Sequence, residues 1–275
     1  MAEMAILFDA AKCIACRACQ VACKQWNELT GERTENRGTY ENPPDLSAQT
    51  WVKMRFIEAE RNGQVSWLFS RQACMHCTDA ACVTVCPPKA LTHHELGMVT
   101  YDKNLCTGCG YCADACPFGI PRSNRNLITG VAKMDKCTMC TSSGLDRVDN
   151  GYDPACVKTC PTGALVFGDR AELLAAGRTR VAYLKNNGSP NAYLYGEKEL
   201  GGLHVLYALP DSPESYGLPV DPKISAVTYA WQDVIRPMGW ALGGLTIVGL
   251  ALNFMVARES KLSKELSGKK SSKEE

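Results

Sequence analysis

Residues 237–257 are the longest apolar stretch of the chain, 21 consecutive positions without a charge, running from Pro237 to Ala257. About 20 such residues cross a bilayer as a helix, so the pattern predicts one transmembrane helix at 231–258. Tyr229, Trp231 and Trp240 gather at one end as an interfacial belt. Gly239 and Gly243 have the spacing that lets helices pack closely, with Gly244 and Gly249 adding small surface. A helix buried in a globular core is the competing reading, and the Pro-rich loop before it and charged tail after it disfavour that. Elsewhere the apolar runs are short. Met4 to Asp9 reads as a strand, as do Gly97 to Asp102 and Leu203 to Leu209. Trp51 to Glu60 and Val65 to Ser70 flank Arg61-Asn62-Gly63-Gln64 and predict a hairpin turning on Asn-Gly. Asp169 to Ala176 predicts a helix opened by a polar cap. Thr30 to Thr50, polar and rich in Gly, Pro and Asn, predicts a long ordered excursion or a loop over a partner.

Runs this short build little core, and the 16 cysteines supply what is missing. Cys106, Cys109, Cys112 and Cys116 have the form C-x2-C-x2-C-x3-C, followed by Pro117. Cys13, Cys16, Cys19 and Cys23 repeat that spacing without the proline. Cys74, Cys77, Cys82 and Cys86 lengthen the middle gap, and Cys137, Cys140, Cys156 and Cys160 lengthen it further; Pro87 and Pro161 follow them. No cysteine is left over. Such runs wrap iron-sulfur clusters, with the fourth thiolate reaching a second cluster. Structural zinc sites usually pair separated C-x2-C units instead. Disulfide scaffolds belong to short secreted domains, unlike a 275-residue chain whose start, with Glu3 and Asp9, lacks the marks of a secretory signal.

The crossing rule assigns four ligand sets. Cys13, Cys16 and Cys19 join Cys160 in the first, and Cys137, Cys140 and Cys156 join Cys23 in the second. Cys74, Cys77 and Cys82 join Cys116 in the third, and Cys106, Cys109 and Cys112 join Cys86 in the fourth. The expected fold is α+β: two ferredoxin-like two-cluster units, one inserted in the other, plus one carboxy-terminal transmembrane helix. Residues 73–123 would be the inserted unit. Residues 1–72 and 124–230 would form the other with its covering extension, and 259–275 a charged cytoplasmic tail.

His76, between two ligands, could donate to a cluster sulfur or merely pack. Lys89, Lys103, Lys133 and Lys136 could offset cluster charge, although solvated lysine is the ordinary case. The net charge of +1 and pI near 7.4 give no sign of nucleic acid as a partner. Two basic residues, Lys223 and Arg236, lie in the 20 positions before Pro237, whereas Arg258, Lys261, Lys264, Lys269, Lys270 and Lys273 follow the helix. That bias puts the carboxy terminus in the cytoplasm and the cluster domains in the periplasm.

The stretches CRACQVACKQWN (16–27), CMHC (74–77), CTGCGYCADACPFGIPR (106–122), PACVKTCPTGA (154–164), GGLHVLY (201–207) and GLPVDPKI (217–224) resemble the iron-sulfur beta subunit of membrane-bound respiratory formate dehydrogenases. The cysteine plan is shared with many four-cluster subunits, while the later stretches and the single anchor helix are more specific. The resemblance implies a subunit with no catalytic residue of its own. A molybdopterin-containing catalytic alpha subunit, holding molybdenum or tungsten, would pass electrons from formate to it. A membrane cytochrome b gamma subunit would take them to quinone. It implies four 4Fe-4S clusters, because no ligand cysteine is replaced. The first set would lie next to the catalytic subunit and the fourth next to the membrane subunit. Export would be already folded, on a partner bearing a twin-arginine signal. The alternatives are the same relay for another molybdopterin oxidoreductase or a hydrogenase, a free ferredoxin-like carrier, and a zinc scaffold.

Overall fold

A computed structural model of the chain describes residues 2–61, 63–125, 132–142, 144–225, 228 and 234–271. The described strands are β1 (Met4–Asp9), β2 (Lys53–Arg61), β3 (Gln64–Gln72), β4 (Leu91–His93), β5 (Val99–Tyr101), β6 (Arg122–Arg125), β7 (Ala132–Asp135), β8 (Leu165–Asp169), β9 (Tyr193–Tyr195) and β10 (Val205–Leu209). Between them lie α1 (Ala18–Trp26), the single turns α2 (Ala81–Thr84), α3 (Tyr111–Ala115) and α4 (Ala155–Lys158), and α5 (Arg170–Asn186). The chain divides into two compact units, Met1–Ile224 and Ser225–Glu275.

In the first unit a mixed sheet runs β8-β1-β10-β9, with β1 parallel to β10 and antiparallel to β8. Side chains alternate across a strand, and here both faces are covered. Ala5, Leu7, Leu206 and Ala208 pack against Leu173, Val181 and Leu184 of α5. Ile6, Phe8, Val205, Tyr207 and Leu209 turn to the other side, into a core shared with Cys19, Cys23, Cys74, Cys137 and Cys156. Burial on both faces is why β1 and β10 read as continuous apolar runs rather than alternating ones.

The cap of α5 is the predicted one: the Asp169 carboxylate accepts the N–H groups of Ala171 and Glu172 at 2.8 and 3.1 Å. The helix continues ten residues past Ala176 to Asn186 because Leu173, Val181 and Leu184 keep one face on the sheet. Gly177 sits where a Cβ would come within 2.7 Å of Leu194 Cδ1, so glycine here permits close packing despite its helix cost.

The hairpin of β2 and β3 pairs from Lys53 with Gln72 to Arg61 with Gln64. Its expected turn falls partly on residue 62, outside the described residues; Gly63 has φ +74°. Residues 30–50 form no helix or strand but are tied down. The Lys24 ammonium donates to Gln49 O (2.9 Å) and Thr50 Oγ1 (3.0 Å), the Trp51 indole to Ala48 O (3.0 Å), and the buried Lys53 meets Glu41. The pairing of β6 with β7, both polar, had no sequence signal.

In the second unit one helix runs from Arg236 to Ser271. Its segment Pro237–Glu259 has mean hydropathy 1.8 and buries none of its residues, so it is long and apolar enough to cross a membrane. Trp240 is exposed on it. Tyr229 and Trp231, the rest of the expected belt, lie outside the described residues. The stretch expected as a charged tail is helical as far as Ser271.

Candidate functional site

Each cysteine run opens on the same loop geometry. Two residues after the first cysteine, the backbone turns left-handed: Ala15 at φ 52°, His76 at 49°, Gly108 at 73° and Met139 at 56°. This turn aims an N–H back at the sulfur just passed. Ala15 N donates to Cys13 Sγ and Met139 N to Cys137 Sγ, both at 3.4 Å. The N–H groups of His76 and Gly108 likewise favour the thiolates of Cys74 and Cys106. Left-handed backbone costs a non-glycine residue about 1–2 kcal/mol, and three of the four positions are not glycine. Gly108 has a second constraint, because a Cβ there would lie 1.7 Å from Ala132 O of β7.

Helical turns then distribute the remaining cysteines. Cys19 and Cys23 are one turn apart on α1 and both buried, yet they face different groups. Cys19 lines a small cavity with Cys13, Cys16 and Cys160, among Phe8, Met54 and Leu165. The thiols that act most strongly on Cys23 are Cys137, Cys156 and Cys140. At α3, Cys112 lines a cavity with Cys86, Cys106 and Cys109, whereas Cys116 is among the charges felt by Cys74, Cys77 and Cys82. None of the sixteen cysteines forms a disulfide, and Cys16 and Cys109 are exposed.

This donor set suits iron-sulfur clusters. Four cysteines line each of two small cavities, the number of thiolates that one cluster takes. A lone zinc draws its thiolates to about 2.3 Å, while a cluster spreads them over separate irons. Burial pushes the thiols of Cys19, Cys82, Cys112 and Cys140 up to about 12, and it raises those of Cys23 and Cys77 as well. At neutral pH these groups are therefore neutral until a metal displaces the proton.

Of the residues singled out near the runs, Lys136 is buried, donating to Val99 O (2.8 Å) and Cys137 O (2.9 Å), and its charge favours the thiolates of Cys74 and Cys82. Lys103 instead pairs with Asp135 at 2.8 Å; Lys89 is exposed, and Lys133, whose Nζ donates to Lys103 O, favours the thiolate of Cys106. His76 is fully buried and held neutral by burial and by Lys136. Its Nδ1 accepts from Val99 N at 3.2 Å, which leaves Nε2 as the N–H, and that atom has no protein partner.

Sequence reasoning overlooked Arg71, the penultimate residue of β3. Its side chain is buried, with Nη2 3.9 Å from Cys156 Sγ. Nothing in Ser70-Arg71-Gln72 distinguishes it from a solvated strand end.

Residues 65–170 match the family described as a 4Fe-4S dicluster domain, and residues 10–26 match a 4Fe-4S binding domain. The chain is 44% identical over 258 residues to the nitrate-inducible formate dehydrogenase iron-sulfur subunit of Escherichia coli, covering 92% of this chain and 85% of that one. It is 44% identical over 255 residues to the formate dehydrogenase iron-sulfur subunit of Haemophilus influenzae, covering 90% and 79%. It is 34% identical over 245 residues to the hydrogenase-2 operon protein HybA of Escherichia coli, covering 79% and 73%. With such identity along nearly its whole length, and with cysteine loops built to hold 4Fe-4S clusters, the chain belongs to the iron-sulfur subunits of formate dehydrogenases.

Proposed function

We propose that the chain is a non-catalytic electron relay holding four 4Fe-4S clusters, one on each ligand set assigned above. When bound, such clusters take up and release single electrons. The chain's own residues hold them at fixed positions, exclude water with the core around Cys19, Cys23, Cys137 and Cys156, and supply N–H groups and buried cations. The observation that carries the count of four is the left-handed turn repeated at Ala15, His76, Gly108 and Met139. The crossed sets are supported by the two cavities, by the thiols that act on Cys23 and by the action of Cys116 on Cys74, Cys77 and Cys82. The nesting of a second two-cluster unit rests on a separate small core of Ala80, Ala90, Leu91, Val99, Tyr101, Cys112 and Met134.

The relay runs from a molybdenum- or tungsten-pterin catalytic subunit that oxidises formate to a membrane cytochrome b subunit. Its two ends are the sets that reach the surface. Exposed Cys16 lies between exposed Ile14 and Val21, and exposed Cys109 between Leu105 and Tyr111; apolar side chains beside a redox site suit docked partners. In the purified complex, formate is expected to reduce all the clusters. A structure of the complex should put Cys13 nearer the pterin than Cys106, and the reverse order would overturn the assignment of ends. The likeness to the hydrogenase-2 operon protein keeps a hydrogenase as the second reading, and failure of formate to reduce any cluster would favour it.

The helix at 237–259 anchors the subunit in the cytoplasmic membrane, with the cluster domains outside and the carboxy terminus inside. Protease added to spheroplasts should degrade the cluster domains and spare a tag placed after Glu275. Protected domains with a lost tag would reverse the orientation.

A further inference from the structure

The Arg71 guanidinium is among the largest fully buried side chains of the protein, at 1% exposure. A buried charge is tolerated only when other groups compensate it. Yet Nε and Nη1 have no hydrogen-bond partner, and Nη2 lies 3.9 Å from the sulfur of Cys156. The backbone around it is firmly placed, because the Tyr207 hydroxyl of β10 donates to Arg71 O at 2.6 Å. The groups that act on the guanidinium are Cys156, Tyr207, Cys137 and Cys19. Burial alone would lower its pKa, and these neighbours more than reverse that. Reciprocally, Arg71 favours the ionised form of Cys19, Cys23 and Cys156. Cys156, which the guanidinium touches, belongs to the second ligand set, and Cys19 of the first is packed into the same core as Cys156 and Cys23, so the cation lies beside both sites.

We propose that Arg71 is the shared charge-compensating residue of these two sites, raising the reduction potentials of the clusters on Cys13, Cys16, Cys19, Cys160 and on Cys23, Cys137, Cys140, Cys156. The inference rests on the ligand sets proposed above. Adding one electron to a thiolate-bound cluster increases the negative charge beside the guanidinium, so a fixed positive charge there favours the reduced form. Net charge and hydrogen bonds to sulfur are among the main determinants of cluster potential. Nε and Nη1, unpartnered by protein, are free to donate to cluster sulfur. Arginine suits this position because its charge is permanent and delocalised over a planar fork of donors.

The test is a redox titration of the whole complex followed by electron paramagnetic resonance, on wild type, Arg71→Met and Arg71→Lys, with iron and sulfide measured on each. The signal of the cluster bearing Cys156 is first identified by its loss in Cys156→Ser. If that change removes the signal assigned through Cys106 instead, the ligand sets have failed rather than the role of Arg71. In Arg71→Met the Cys156 signal is expected to titrate lower by at least a tenfold change in its reduction equilibrium, about 59 mV for one electron. The Cys13 signal should shift the same way, and the Cys106 signal should stay. Arg71→Lys, which keeps the charge, should restore most of the shift. Unchanged potentials in Arg71→Met with full iron content would overturn the proposal, as would equal shifts in all the signals. Where Arg71→Met does not retain its iron, Arg71→Gln carries the same comparison. Loss of iron in both neutral variants but not in Arg71→Lys would support a required charge; loss in Arg71→Lys as well would make the role one of packing and refute the proposal.

Discussion

Stripping the iron from the detergent-solubilised chain is expected to abolish cooperative unfolding of the Met1–Ile224 unit. Its principal core is threaded by Cys19, Cys23, Cys74, Cys137 and Cys156, and the smaller one is built on Cys112 with Cys77, Cys82, Cys86 and Cys106 packed against it. A structural metal site in a small domain contributes about 10–16 kcal/mol of apparent folding free energy. Whole domains are stable by about 5–15 kcal/mol, so stripping every site together removes more than the entire margin. The left-handed turns at Ala15, His76 and Met139 add strain that only the bound group offsets. Far-ultraviolet circular dichroism and amide exchange would read the result. Helical signal from residues 236–271 should persist in detergent while exchange protection in β1, β10 and α5 disappears. An iron-free chain that melts at the holoprotein's temperature would refute the claim that the clusters are the core.

Cys23→Ser is expected to abolish the cluster on Cys137, Cys140 and Cys156 and to spare the one on Cys13, Cys16 and Cys19. Cys23 is buried on α1, its carbonyl and sulfur held by Asn27 Nδ2 at 2.9 and 3.6 Å, and its strongest thiol neighbours come from the fourth run. A serine hydroxyl is a harder, poorer partner for iron than a thiolate. Iron should therefore fall by one cluster's worth, and one resonance should vanish. The relay from formate should stall after the first cluster, because the missing site is the next station. Loss of the Cys13, Cys16, Cys19 cluster alone would refute the crossed pairing.

The chemistry and the long apolar helix were legible because each is a local pattern. Four runs of C-x2-C at fixed offsets specify thiolate loops whatever surrounds them. Likewise 21 uncharged residues specify, by length alone, a helix able to cross a membrane. The ends of β1 and the cap at Asp169 were readable for the same reason. Other features depend on partners distant in sequence. β6 and β7 are polar, and Ala132 of β7 is what closes over Gly108. The last ten residues of α5 are helical because Leu194 and β10 receive them, across a glycine that propensity alone would count against. The left-handed turns fall on Ala15, His76 and Met139, residue types that announce no such conformation; the loop imposes it by directing an N–H at sulfur. Arg71 is the sharpest case. Along the chain it is a charged residue near a strand end, and only the folding of β3 against β10 and α4 brings its guanidinium to Cys156. Spacing along a chain specifies which atoms can bind iron. Which charges surround that iron is decided by the packing of segments 85 and 136 residues apart.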